Sequence, residues 1–135
     1  MDIDWIATGT PAPGDLRLLD ARRDPESSPD GLCFTADESS SVLWPLPSAV
    51  TGPDLVVRTL AEVDGETTVR VVVRPEGETG FERANKDLHT LGPDDTGVLD
   101  TVDAPSVSAV RVRGFTPGTH VCVTSVSVGR VVPAG

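Results

Sequence analysis

Between Thr79 and Leu91 the chain gathers side chains suited to gripping a small polar molecule: an aromatic at Phe81, bases at Arg83 and Lys86, an amide at Asn85 and an imidazole at His89. Such a set divides its labour. An aromatic ring stacks on the apolar face of a sugar ring, while guanidinium, amide and imidazole groups hydrogen-bond hydroxyls or a carboxylate. Trp44, between Leu43 and Pro45, is a second candidate platform. Each has a plain structural alternative, with Phe81 tucked under a solvated loop and Trp44 plugging a core. Arg70 with Arg74, and Arg111 with Arg113, are spaced so that on strands each pair projects from one face. Together they could line an anion-binding surface, or they could form cross-strand ion pairs with some of the 21 acids of the chain.

Catalytic arrangements are harder to assemble. His89 and His120 are the two histidines, and neither stands in a metal spacing such as H-x-H or H-E-x-x-H. His120 and Cys122 would share a strand face, as a thiol nucleophile and its base do, but no oxyanion loop or orienting partner accompanies them. Asp20, Asp24, Glu26 and Asp30 lack the spacing of a calcium loop and read as a solvated acidic segment. Asp94-Asp95 reads as a turn. Cys33 and Cys122 lack C-x-x-C spacing and are too few for a disulfide-stapled scaffold. They are expected as reduced, buried thiols in the apolar contexts Leu32-Cys33-Phe34 and Val121-Cys122-Val123. The alternative is a cross-link between first and last strands that closes a long loop.

Strands must position these groups. Thirteen glycines and twelve prolines, with valine-rich runs between them, favour strand and turn throughout. A chain of 135 residues, 38% hydrophobic and 24% charged, suffices for one core and leaves no room for a second. Residues 1–14, ending in Thr10-Pro11-Ala12-Pro13-Gly14, are predicted as an extended proline-rich arm tacked down by Trp5 and Ile6, with residues 15–135 as a single domain. Strands are predicted at 16–18, 32–36, 41–46, 55–63, 67–74, 98–102, 106–114 and 120–132. The first of these could instead be a short helix capped by Asp15. Asp64-Gly65 predicts a hairpin between two adjacent strands. Val69, Val71 and Val73 face one way and Arg70, Val72 and Arg74 the other. Val121 and Val123 are out of phase with Val126 and Val128, which predicts a bulge near Thr124-Ser125. One-sided antiparallel strands must pack as two sheets, so the class is all-β and the simplest architecture is a β-sandwich.

Charge removes some partners. Eleven Lys and Arg against 21 Asp and Glu give a net charge of −10, which repels nucleic acid. No basic amphipathic stretch favours an anionic membrane. Met1-Asp2-Ile3-Asp4-Trp5 lacks the basic start of an export signal, which makes the cytoplasm the default compartment, with a secreted form or an excised domain as the alternatives.

The order of segments resembles the galactose-binding-like jelly-roll of many carbohydrate-binding modules. Leu18-Leu19-Asp20-Ala21 stands where that family starts its first strand, and Asp30-Gly31-Leu32-Cys33-Phe34 where a second begins. Residues 55–62 with 67–73 resemble its central hairpin, and residues 110–114 with 120–123 its closing pair. The resemblance implies an antiparallel jelly-roll sandwich and a non-catalytic module that binds a carbohydrate or glycosylated ligand in the service of an associated enzyme. On that reading Phe81, Arg83, Asn85, Lys86, His89 and Trp44 are the ligand-binding candidates. Two departures stand out. The chain has no Tyr, which limits stacking, and Thr124-Ser125-Val126-Ser127 supplies no carboxylate where the family often holds a structural calcium. No other cofactor is expected. The alternative from a different class is a structural or protein-interaction sandwich that docks a partner protein, and a small enzyme working by cavity shape is a third.

Overall fold

A strand that alternates valine with arginine has one face that must leave water and one that cannot. The structure, a computed structural model, describes residues 2–10, 16–25, 31–83 and 88–132 and meets that demand with two packed antiparallel sheets. Among the described residues the strands are β1 (Asp2–Gly9), β2 (Arg17–Leu19), β3 (Leu32–Thr35), β4 (Ser41–Thr51), β5 (Leu55–Val63), β6 (Thr67–Arg74), β7 (Glu82–Arg83), β8 (His89–Leu91), β9 (Gly97–Thr101), β10 (Ser106–Arg113) and β11 (His120–Val132). The first sheet runs β1-β11-β5-β9, with β3 also on β11; the second runs β2-β4-β10-β6-β7, with β8 also on β6. This is the expected all-β, antiparallel jelly-roll sandwich.

The core lies between the sheets. Val57, Ala61, Val123 and Val126 from the first meet Val42, Trp44, Val71 and Val110 from the second, and Phe34 packs edge-on against Phe115 at 5.4 Å. The valine phase change in β11 is absorbed as expected. The register against β5 shifts between Val123 and Ser125, and the Thr124 hydroxyl donates to the Leu60 carbonyl at 3.1 Å. A bulge of this kind lets Val121 and Val128 both reach the core. In β4, pairing with β10 jumps from Pro45 opposite Ala109 to Val50 opposite Val107. Pro45 and Pro47 explain the jump, since proline cannot donate to a ladder and is confined to edges and bulges. The strand therefore resumes beyond Leu46, where the sequence pattern breaks off.

Three expectations change. Residues 2–9 of the anticipated arm are a sheet strand, β1, paired with the end of β11. Its approach to the core depends on Gly9, where a Cβ would fall 2.5 Å from the Trp44 indole. Asp64-Gly65 does not close a hairpin, because β5 belongs to the first sheet and β6 to the second. The turn is a corner between layers. Asp64 is held there by β11, its carboxylate accepting from the His120 N–H at 2.9 Å and its own N–H donating to the His120 carbonyl at 3.2 Å. Cys33 and Cys122 are joined in a disulfide rather than reduced. They are direct partners across β3 and β11 with Cα atoms 4.0 Å apart, on the face opposite Leu32, Phe34, Val121 and Val123. Alternation alone put both sulfurs on one face, and register put them together.

The disulfide spans 89 residues of sequence, and in the chain-entropy model a loop of that size restricts the unfolded chain by about 4–5 kcal/mol. Replacing both cysteines by serine is expected to lower unfolding stability by about 2–5 kcal/mol in urea titrations, without changing the far-ultraviolet β signature.

Candidate functional site

With Val69, Val71, Val73, Val110 and Val112 in the core, the alternate residues of β6 and β10 form the outer face of the second sheet. Backbone register arranges them in rows. One row reads Arg17, Leu43, Arg111, Val72 and Arg83 across β2, β4, β10, β6 and β7. The next reads Leu19, Ser41, Arg113 and Arg70, and the third Pro45, Ala109 and Arg74. Arg70, Arg74, Arg111 and Arg113 thus surround Val72. This apolar residue lies outside the inter-sheet core and is 7% exposed, as expected where long arginine stems wall it in.

Neighbouring serines orient two of the guanidiniums. Arg111 Nε donates to Ser41 Oγ at 3.1 Å, and Arg74 Nε to Ser108 Oγ at 3.2 Å. Ser108 in turn donates to the Arg74 carbonyl at 2.9 Å. Arg74 also lies over the Phe81 ring, 5.7 Å from its centroid, at the outer limit of a cation–π contact. Arg70 Nε is buried without a hydrogen-bond partner. Among the described residues, none of these four arginines is in an ion pair with an acid; the ion pairs there are His89–Asp100 and His120–Asp24. The cross-strand ion-pair explanation of the arginines is therefore not realised among the described residues.

At one end of the face Arg111 and Arg113 line a hollow of about 170 Å³ together with Asp20, Glu38, Ser39 and Ser40. The turn beside its Glu38 is braced by hydrogen bonds. Asp20 takes a left-handed conformation, φ 58°, which aspartate tolerates better than most residues. Asp37, just outside the hollow, accepts from the Ser39 N–H at 3.0 Å and the Ser40 hydroxyl at 3.1 Å, while Ser40 Oγ accepts from the Asp37 N–H at 2.8 Å. The Ser39 N–H, foremost, holds the Asp37 carboxyl below its ordinary range. The brace is therefore complete above the unfolded-state value and is lost as pH falls through the lowered one.

The sequence candidates divide. Phe81 is half-buried at the edge of this face beside Arg74. Arg83 lies on β7 with its backbone opposite Val72, and Asn85 and Lys86 fall outside the described residues. His89 turns inward at the sandwich edge, its Nε2 lying 2.6 Å from the fully buried Asp100 carboxylate of β9. Trp44 is 3% exposed, so its indole serves the core and offers no stacking face. His120 pairs with Asp24 at 2.6 Å, and Cys122 is in the disulfide, which removes the thiol–imidazole arrangement. Among the described residues no three of His, Cys, Asp and Glu cluster to hold a metal, and the Thr124 hydroxyl donates to the backbone. Sequence reasoning missed Glu38, Ser39 and Ser40. Their signal, a Ser-rich turn before a strand, is common to many surface turns.

No protein-family model and no curated protein sequence matches the chain. Solved structures do. A family 86 module from Roseburia intestinalis, described as a low-affinity xylan binder, superposes with TM-score 0.61 and 16% identity over 98% of this chain and 97% of that one. A family 29 carbohydrate-binding module gives 0.61 and 14% over 99% and 100%. The family 32 module of C. perfringens NanJ, solved with galactose, gives 0.56 and 7% over 90% and 99%. The chain has the fold of carbohydrate-binding modules. At these identities the likeness covers the backbone from end to end and leaves the side chains to speak for themselves.

If His89 is a structural brace between the sheets, His89→Ala should cost about 1–3 kcal/mol in chemical denaturation, because a buried carboxylate loses a hydrogen-bonded partner.

Proposed function

We propose that the chain is a non-catalytic carbohydrate-binding module and that its ligand lies across the outer face of the second sheet. One observation carries this reading: the hollow sets carboxylates (Asp20, Glu38) beside guanidiniums (Arg111, Arg113). Sugar hydroxyls both donate and accept, so a wall offering charged acceptors and charged donors side by side satisfies both halves of each hydroxyl. Val72 and Phe81 add apolar surface along the same face, the modest stacking capacity expected of a chain without tyrosine. The full-length likeness to modules described as binding xylan and galactose supports the class of ligand. In this reading the module serves an enzyme domain on the same or a neighbouring chain.

The disulfide bears on where it works. Cross-strand disulfides persist in oxidising surroundings, so Cys33–Cys122 supports a working place outside the reducing cytoplasm and against the default reading of the N-terminus.

Affinity electrophoresis against xylan, galactan, glucomannan and polygalacturonate tests the proposal. Retardation by at least one polymer is expected, with Arg111→Ala weakening it about tenfold or more through loss of charge-assisted hydrogen bonds. Unretarded migration in all four gels would contradict it.

A further inference from the structure

The arginines around Val72 are more than a sugar-hydroxyl site requires. Arg113 and Arg70 are direct cross-strand partners, and like charges placed directly opposite destabilise a sheet. Stability therefore does not explain the pair. The chain has 21 acids, yet among the described residues none is in an ion pair with these four guanidiniums. Arg70 Nε is buried and has no hydrogen-bond partner among the described residues. Ser108 and Ser41 engage the Nε atoms of Arg74 and Arg111, leaving the paired terminal nitrogens of each as donors. That fork matches the two oxygens of a carboxylate.

We propose that the module selects an acidic polysaccharide, its uronate carboxylates seated on Arg70 and Arg74 beside Val72 while neutral hydroxyls occupy the hollow lined by Arg111 and Arg113. The inference rests on the carbohydrate reading above and adds the class of sugar. The two regions divide by charge. Asp20 and Glu38 lie in the hollow with Arg111 and Arg113 and would repel an anion there, whereas no acid lines the Arg70–Val72–Arg74 run among the described residues. The net charge of −10 does not forbid this. At physiological salt the screening length is about 8 Å, so an anion laid on the face responds to the nearby guanidiniums and little to acids elsewhere.

The test compares one polymer in two forms, polygalacturonate and the same polymer with its carboxylates reduced to alcohols, by isothermal titration with the intact chain. Binding to the acid form is expected to be about tenfold tighter or more, to weaken as salt is raised, and to lose its preference in Arg70→Gln and Arg74→Gln. Arg58→Gln, which removes one charge from the first sheet, should leave that preference intact. The polymer comparison needs no variant, so a folding defect in either arginine substitution leaves it standing. Equal binding of both forms would overturn the acidic assignment and leave the carbohydrate reading in place. Absence of binding to these and to the neutral polymers would overturn both. Equal affinity for dextran sulfate or single-stranded DNA would also overturn it, by showing a patch that answers to any polyanion.

Discussion

Arg70 and Arg74 can occupy an open face because Val69, Val71 and Val73 must not. The two-residue period of a strand ties each outward side chain to inward neighbours, and burial of the inward set holds the outward set in register. In β6 and β10 the inward valines are almost wholly buried, so the arginine lattice inherits the rigidity of the core. A slip of one residue in either strand would send guanidiniums into the sandwich and valines into water. The arginine face is thus a consequence of core packing, and no loop is needed to place its central residues.

The same period explains what could be read from the sequence and what could not. The facing of Val69 through Arg74, the phase reversal in β11 and the boundaries of β5, β6 and β11 are local properties, and they are found as read. Pairing is not local. The run Val63-Asp64-Gly65-Glu66-Thr67 suits a tight hairpin, yet β5 and β6 each find better partners in other strands, and the turn becomes a corner between sheets. Cys33 and Cys122 each read as a small residue in an apolar strand until β3 is laid beside β11. Likewise β1 was hidden because its prolines follow it, and a strand completed by the far C-terminal end of the chain leaves no local trace.

The candidate site was legible in its parts. Spacing identified Arg70 with Arg74 and Arg111 with Arg113 as facing pairs, but nothing in the sequence sets β6 beside β10, or Arg113 opposite Arg70. Phe81 belongs to the edge of that face. Trp44 and His89 do not, and both are drawn inward by partners on other strands: Gly9, whose missing side chain admits the indole, and Asp100, whose buried carboxylate meets the imidazole. An aromatic or a histidine is ambiguous in sequence because it serves core and ligand equally well, and only the partner on another strand decides.

The central claim is that carbohydrate meets the outer face of the second sheet. Amide chemical-shift mapping during titration with a soluble oligosaccharide of the polymer that binds in electrophoresis tests it most directly. The account predicts that shifts concentrate at Arg70, Val72, Arg74, Arg111 and Arg113 and at Glu38 to Ser40, with Arg58, Leu99 and Ser127 of the first sheet unmoved. Shifts confined to the first sheet, or to the groove lined by Ile6, Pro47 and Ala49, would contradict it.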